Sequence, residues 1–305
     1  LTVIEPVKNK KDSLEVLYDF DLQMKDRIYT QLYNCDLGRT FGIDNIADLV
    51  RSGKWTIDKE IEYVKLAAAD LNGDGVMDQN DRYGFIAGDR KDLFYFNIAA
   101  GNFVARKNSS GEIELSLNNE RTIGLIDKWL TMMDREIALF PQDLSGKVDN
   151  IYSGSGAIFW SGNCLFRTIG LSGIMSASAK ADFDYKMLPL PKFDEAQEKY
   201  YTMSDNIGLL FGVPANAPDR DFSGYMLEAL SCISHTTTLP AYYEINCKVK
   251  SVYDEDSADM MDLAIDGLVF DVGFLYDIGG LPSILTSRIP YARSNDLASL
   301  YAGME

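Results

Sequence analysis

Between Thr56 and Ala68 the apolar residues Ile57, Ile61, Val64 and Ala68 recur at helical spacing, with Thr56 in place as an N-cap. The run RYGFIAG that follows is short and reads as a strand. Ahead of this pair the chain mixes an apolar start, LTVIEPV, a basic turn, KNKKD, and a hydrophobic segment, LEVLYDFDLQM. A short strand around Leu32 and Tyr33 then leads to a helix and a loop ending at Trp55. From Asp92 the pattern predicts a helix, a strand near Phe103 and Val104, and a turn over Asn108 to Gly111. A strand with Ile113, Leu115 and Leu117 facing inward follows, then a helix capped by Asn118 with Ile123, Ile126, Leu130 and Met133 on one face. Trp129 on that helix reads as packing.

Gly156 to Trp160 reads as a buried strand, with Ser161, Gly162 and Asn163 as a loop entering a helix. A further strand stops at Pro189 and Pro191, which stiffen an extended exit. Ile207 to Val213 reads as a returning strand, followed by a helix with Met226, Leu230 and Ile233 on one face. Ser257 to Asp266 forms another helix, closed by Gly267, and the tail suggests one or two more. The run Asp254, Glu255, Asp256 reads as a solvated acidic face.

Composition narrows the partners. With 305 residues and 46% hydrophobic content, the chain can build one large domain or two. Lys and Arg number 29 against 46 Asp and Glu, and the resulting charge of -17 would be repelled by nucleic acid or an anionic membrane. A neutral or cationic ligand, or a metal, fits better. No run of about 18 apolar residues predicts a membrane span. Leu1 is not a start methionine and no signal peptide precedes it, which leads one to expect a mature product or a fragment. Cys35, Cys164, Cys232 and Cys247 show no metal-type spacing; Cys232 and Cys247 are either a pair or buried thiols. His235 is the single histidine, so multi-histidine zinc sites are excluded.

The stretch DLNGDGVMDQND, residues 70 to 81, carries the sharpest motif. Asp70, Asn72 and Asp74 alternate, Gly75 follows, Asp78 comes at place nine and Asp81 at place twelve. This is the EF-hand calcium-loop spacing, with the Val76 carbonyl as backbone ligand. Gly75 permits the sharp turn such a loop needs. The alternative is a set of polar turns. A helix precedes the loop and a strand follows, so the expectation is a structural calcium clip rather than an opening sensor. It resembles one copy of the dockerin calcium repeat.

Several ordered segments resemble the bacterial extracellular solute-binding proteins of family 1, the maltose-binding-protein-like components of ABC importers. LYNCDLGRTFGIDNIADLVRSGKWTIDK is similar to their strand ending in Tyr-Asn, helix and Gly-Lys-Trp-Thr turn. DLFYFNIAAGNFVARKNSSGEIELSLNNERTIGLIDKWLTMM matches the order of elements in their second lobe, and Leu188-Pro189-Leu190-Pro191-Lys192 the exit before the chain crosses back between lobes. Pro240-Ala241-Tyr242-Tyr243 and the helix after it fit as well. The resemblance covers roughly residues 30 to 275.

It implies an α/β, type II periplasmic-binding-protein-like architecture with an incomplete first lobe. Residues 1–32 would be a remnant of that lobe or a crossover, 33–202 the second lobe with the calcium loop, 203–256 the return to the first, and 257–305 closing helices. Apolar surface near residues 207–233 would then be exposed and promote association. The implied function is to bind a carbohydrate, an oligosaccharide, in an interlobe cleft and deliver it to ABC permease subunits, from the cell surface as a lipoprotein or from the periplasm. Any membrane contact would run through a lipid anchor outside this chain. Trp160, Asn163, Arg167, Asp205, Asn206 and Trp55 are the implied ligand residues. Trp160 is either a stacking platform or core, and Asp205 and Asn206 are either cleft residues or a strand-edge turn. The chain offers no convincing nucleophile and base. Two rivals remain: a carbohydrate-active enzyme with structural calcium, drawing on Glu136, Asp143, Asp205 or Glu244, and a calcium-dependent adhesion module.

Overall fold

Five buried segments, Tyr29–Asn34 (β1), Tyr83–Ile86 (β2), Ala138–Leu139 (β3), Cys164–Gly170 (β4) and Tyr185–Leu188 (β5), form one sheet in the order β3-β2-β4-β1-β5. β2 runs parallel to β3 and β4, and β1 antiparallel to β4 and β5. The computed structural model describes residues 15–16, 27–177, 181–204, 211–214, 216–242 and 255–304. The helices used below are Cys35–Thr40 (α1), Ile57–Ala67 (α2), Asp92–Ala99 (α3), Glu120–Met132 (α4), Ile151–Trp160 (α5), Leu171–Ala177 (α6), Arg220–Thr236 (α7) and Glu255–Asp266 (α8).

Both faces of the sheet are covered, which explains why its strands read as continuous apolar runs. On one face Val64 of α2, Phe94 and Phe96 of α3, and Leu125 and Trp129 of α4 pack on Phe85 and Phe166. On the other, Ile158 and Phe159 of α5 and Leu171 and Ile174 of α6 pack on Leu32 and Ile86. α8 lies against β5. No helix among the described residues is long and apolar enough to cross a membrane.

Thr56 caps α2 as expected, its side chain accepting the Lys59 N–H. α4 starts one residue later than expected: Asn119, not Asn118, accepts the Thr122 N–H at 2.9 Å. Ile113 and Leu115 do not face inward; they are exposed on a small hairpin with Ala105–Lys107, and only Leu117 of that set is buried.

The largest departure is at residues 151–170. Ile151–Trp160 is a helix, not a strand, and Ser161 to Asn163 enter the strand β4, not a helix. Asn150 caps that helix by accepting the Tyr152 and Ser153 N–H groups at 3.0 Å. Its small residues serve close packing: a Cβ on Gly154 would meet Val148 Cγ2 at 2.9 Å. Of the strand expected over 207–213, Phe211–Gly212 pairs antiparallel with Glu15–Val16, while 205–210 lie outside the described residues. α7 carries Phe222, Tyr225, Met226, Leu230 and Ile233 exposed, in keeping with the apolar surface expected there. Cys232 is an exposed free thiol, Cys35 and Cys164 are buried ones, and Cys247 lies outside the described residues.

Candidate functional site

The loop after β2 leads to α3 on one face of the sheet, and the loops after β3 and β4 lead to α5 and α6 on the other. Where neighbouring strands send their chain to opposite faces, the carboxyl ends part and leave a crevice. At the carboxyl ends here stand Gly88 and Asp89 after β2, Phe140 and Gln142 after β3, and Thr168 to Gly170 at the end of β4, with Tyr29 beside them at the start of β1.

Asp92, the first residue of α3, forms the floor and is fully buried. Its Oδ2 accepts the Thr168 hydroxyl and, at 3.2 Å, the Gly88 N–H; its Oδ1 accepts the Asp89 N–H at 3.0 Å. Gly88 N–H also lies 2.6 Å from Thr168 Oγ1, which ties the two strand ends together. Burial pushes the Asp92 carboxyl up to about 7, against the hydrogen bond from Thr168. Behind it Glu60 of α2, equally buried, accepts the Gln31 amide, and burial raises it to about 8. The floor therefore holds two carboxyls that are protonated well above the usual range.

The rim is aromatic and polar. Tyr29 donates to Asp89 Oδ2 at 3.3 Å and stacks on Tyr95 with ring centroids 3.7 Å apart. Tyr152, in the first turn of α5, keeps 40% of its surface exposed and is hydrogen-bonded by the Gln142 side chain. Burial, then the nearby Asp89 charge, raise its phenol, while Arg90 opposes them. Tyr291, also exposed, stands beside Tyr152 and against Phe140. Open aromatic faces next to carboxylate and amide groups suit the C–H faces and hydroxyls of a sugar.

Of the four expected ligand residues that lie among the described residues, only Arg167 belongs to this neighbourhood, feeling the charges of Asp92 and Tyr29 from mid-β4. Trp160 and Asn163 sit at the opposite end of β4, because the helix, not a strand, ends at Trp160. There Trp160 lines a separate hollow of about 320 Å³ with Asn34, Asp36, Ser161 and Phe183. Trp55 is fully buried, donates its Nε1–H to the Pro189 carbonyl at 3.1 Å and packs on Phe166, so it presents nothing to a ligand. Asp205 and Asn206 lie outside the described residues, as does Glu244. Asp143 is engaged by Arg293 and Arg135, and Glu136 is exposed.

The Asp70 loop is built on its own amides. Asp70 accepts the Gly73 and Gly75 N–H groups at 2.6 and 2.8 Å, Asn72 accepts Asp74, and Asp74 accepts Val76. Asp78 accepts Asn80, and buried Asp81 accepts both Leu71 and Asp78. Gly75 takes φ +79°, the left-handed turn at mid-loop. In this arrangement, with the loop oxygens turned to its own amides, no group of three or more His, Cys, Asp or Glu among the described residues is placed to hold a metal ion.

No family model matches the chain, and no curated protein matches it. Solved structures do. An ABC substrate-binding protein from Listeria monocytogenes in complex with cycloalternan superposes with a TM-score of 0.57 at 14% identity, over 95% of this chain and 70% of that one. UgpB from Mycobacterium tuberculosis in complex with glycerophosphocholine gives 0.60 at 16%, over 95% and 68%. A cyclo/maltodextrin-binding protein complexed with maltotetraose gives 0.57 at 14%, over 94% and 70%. This is the fold of the two-lobed solute-binding proteins. Within the solute-binding-protein fold, the residues that sequence reasoning missed are Gly88, Asp92, Thr168, Tyr29 and Tyr152. One signal for them was present: GDRKD directly after a strand, with an acid opening the otherwise apolar DLFYFNIAA.

Proposed function

We propose that this chain is the extracellular ligand-binding component of an ABC importer and that it takes a carbohydrate at the carboxyl-end crevice without chemical turnover. The observation that supports this best is the rim itself, where exposed Tyr152 and Tyr291 flank Asp89 and Gln142 at the switch point of a solute-binding-protein fold. Binding would act by favouring one conformation through differential contacts, and permease subunits would read that conformation. The test is a thermal melt against a panel of mono- and oligosaccharides, with peptides and polyamines as controls. A ligand at a hundred times its dissociation constant adds about 2.7 kcal/mol, which shifts the melt by several degrees. One sugar class raising the melt without hydrolysis supports the reading; turnover of a chromogenic glycoside, or a response to peptides alone, sinks it.

The loop at 70–81 is proposed as a structural calcium clip. Its donor set is all oxygen, from Asp70, Asn72, Asp74, Asp78 and Asp81 with the Val76 carbonyl, the chemistry a hard cation selects. Bound calcium would neutralise the clustered acids and fix the corner between α2 and β2. Millimolar calcium is expected to raise the melting temperature and a chelator to lower it; identical melts in both would end the calcium proposal.

A further inference from the structure

Beside the edge strand β3 lies a hollow of about 400 Å³, lined by the second half of the 70–81 loop on one side and by β3 and the turn after it on the other. Part of its lining is apolar, from Met77, Leu139 and Leu144. Tyr83, the first residue of β2, belongs to the same apolar cluster and keeps only 2% of its surface exposed, yet it also lines the hollow. Its hydroxyl has no hydrogen-bond partner among the described residues. The carboxylates that act on it, Asp81, Asp78 and Asp143, all accept from other donors.

A phenol that pairs with nothing in a buried ring costs the fold free energy, and a bound polar group would recover it. The charged groups around the hollow are of both signs. Asp143 is engaged inside the protein, by Arg293 and, at 3.5 Å, by Arg135. Asp78 gives one oxygen to the Asn80 N–H and enters no ion pair among the described residues. Lys147 lines the β3 side, is exposed and enters none either. The hollow therefore offers a carboxylate from the loop side, an ammonium and the Arg135 guanidinium from the β3 side, a buried phenol and an apolar surface. Its volume falls within the roughly 300 to 1,000 Å³ of small-molecule sites. Asp78 is place nine of the loop, a position that often reaches its cation through water, which leaves one oxygen for the hollow.

We propose that this hollow is a second small-molecule site and that it takes an aliphatic zwitterion, an amino acid with an apolar side chain. The ligand carboxylate would meet Lys147 and Arg135 and accept from the Tyr83 hydroxyl. Its ammonium would donate to Asp78, and its side chain would lie on Leu139 and Leu144. Charge-assisted hydrogen bonds at both ends are the strong kind, and a molecule with one charge makes only half of them. A zwitterion carries no net charge, so the overall charge of -17 neither attracts nor repels it. The site shares no residue with the carboxyl-end crevice and stands whether or not that crevice takes a sugar.

The experiment is calorimetry on the intact chain in millimolar calcium. It compares leucine with leucinamide, which keeps only the ammonium, and with N-acetylleucine, which keeps only the carboxylate. Losing either charge-assisted contact is expected to weaken binding about tenfold or more. The same loss is expected for leucine in Lys147→Gln, and a smaller one in Tyr83→Phe, which removes the hydroxyl and keeps the buried ring. Lys147 is exposed, so its variant tests the site even if Tyr83→Phe does not fold. Lys107→Gln, an exposed lysine on the small hairpin, is the charge-matched control and should bind leucine as the unaltered chain does. No heat from leucine at millimolar concentration overturns the inference, as does leucinamide or N-acetylleucine binding as tightly as leucine. Leucine binding that is unchanged in Lys147→Gln, or equally weakened in Lys107→Gln, also overturns it, by placing the ligand elsewhere or assigning the effect to net charge.

Discussion

Replacing Gly88 with alanine is expected to destabilise the protein by about 3 kcal/mol or more, and to open the crevice that the candidate site depends on. A Cβ at this position would lie 2.2 Å from the Thr168 carbonyl oxygen and 2.9 Å from its carbon. Those are main-chain atoms, so no side chain can rotate aside; the ends of β2 and β4 would have to part. Parting them also breaks the Gly88 to Thr168 and Gly88 to Asp92 contacts. The control is Gly224→Ala in α7, where nothing lies within 4 Å of the new methyl. Helix propensity alone should make that variant up to about 1 kcal/mol more stable. Urea midpoints read at constant slope give both numbers. A Gly88→Ala midpoint equal to that of the unaltered chain would show that the strand ends are not joined as described.

The second large effect is on pH. Glu60 and Asp92 are held at about 8 and about 7, above their ordinary values, chiefly because burial disfavours their charged forms. Over that range the folded state keeps protons that the unfolded chain has released. Stability therefore falls as pH rises from about 4.5, by roughly 1.4 kcal/mol per unit for each group until its folded pKa is passed. Asp271, also raised by burial, adds in the same direction. The expected observation is a melting temperature that drops steadily between pH 5 and pH 8, with part of the slope removed by Glu60→Gln and part by Asp92→Asn. A flat profile in the unaltered chain, or variants that keep the full slope, would mean that these carboxyls are ionised in the folded protein.

How far the sequence carries depends on which residues speak locally. α2 was readable because its cap and its stripe lie in one stretch, and β2 because a short apolar run ends in glycine. Trp129 was readable as core, and it is almost wholly buried. The segment SGSGAIFWSGNCLFRTIG was not. Glycine and serine are poor helix formers, and Ile158, Phe159 and Trp160 look like a strand. Close packing against Val148 and over Arg167 needs those small residues in a helix, and tertiary need overrides propensity. That one exchange of helix and strand moved the expected ligand end of the sheet from Thr168 back to Trp160. The acid that opens DLFYFNIAA marks Asp92 locally but does not say what it binds, since only topology brings Thr168 to it from 76 residues away.

The most direct test of the crevice is calorimetric binding of whichever sugar raises the melt, to Tyr152→Ala and to Trp160→Ala in parallel. Tyr152 stands at the carboxyl end of the sheet and Trp160 at the other. Removing a ring that carries part of the contact is expected to cost about tenfold or more in affinity. The account predicts that loss in Tyr152→Ala, with Trp160→Ala binding as the unaltered chain does. Loss in Trp160→Ala with Tyr152→Ala unaffected would contradict it and place the ligand in the hollow beside Asn34 and Phe183.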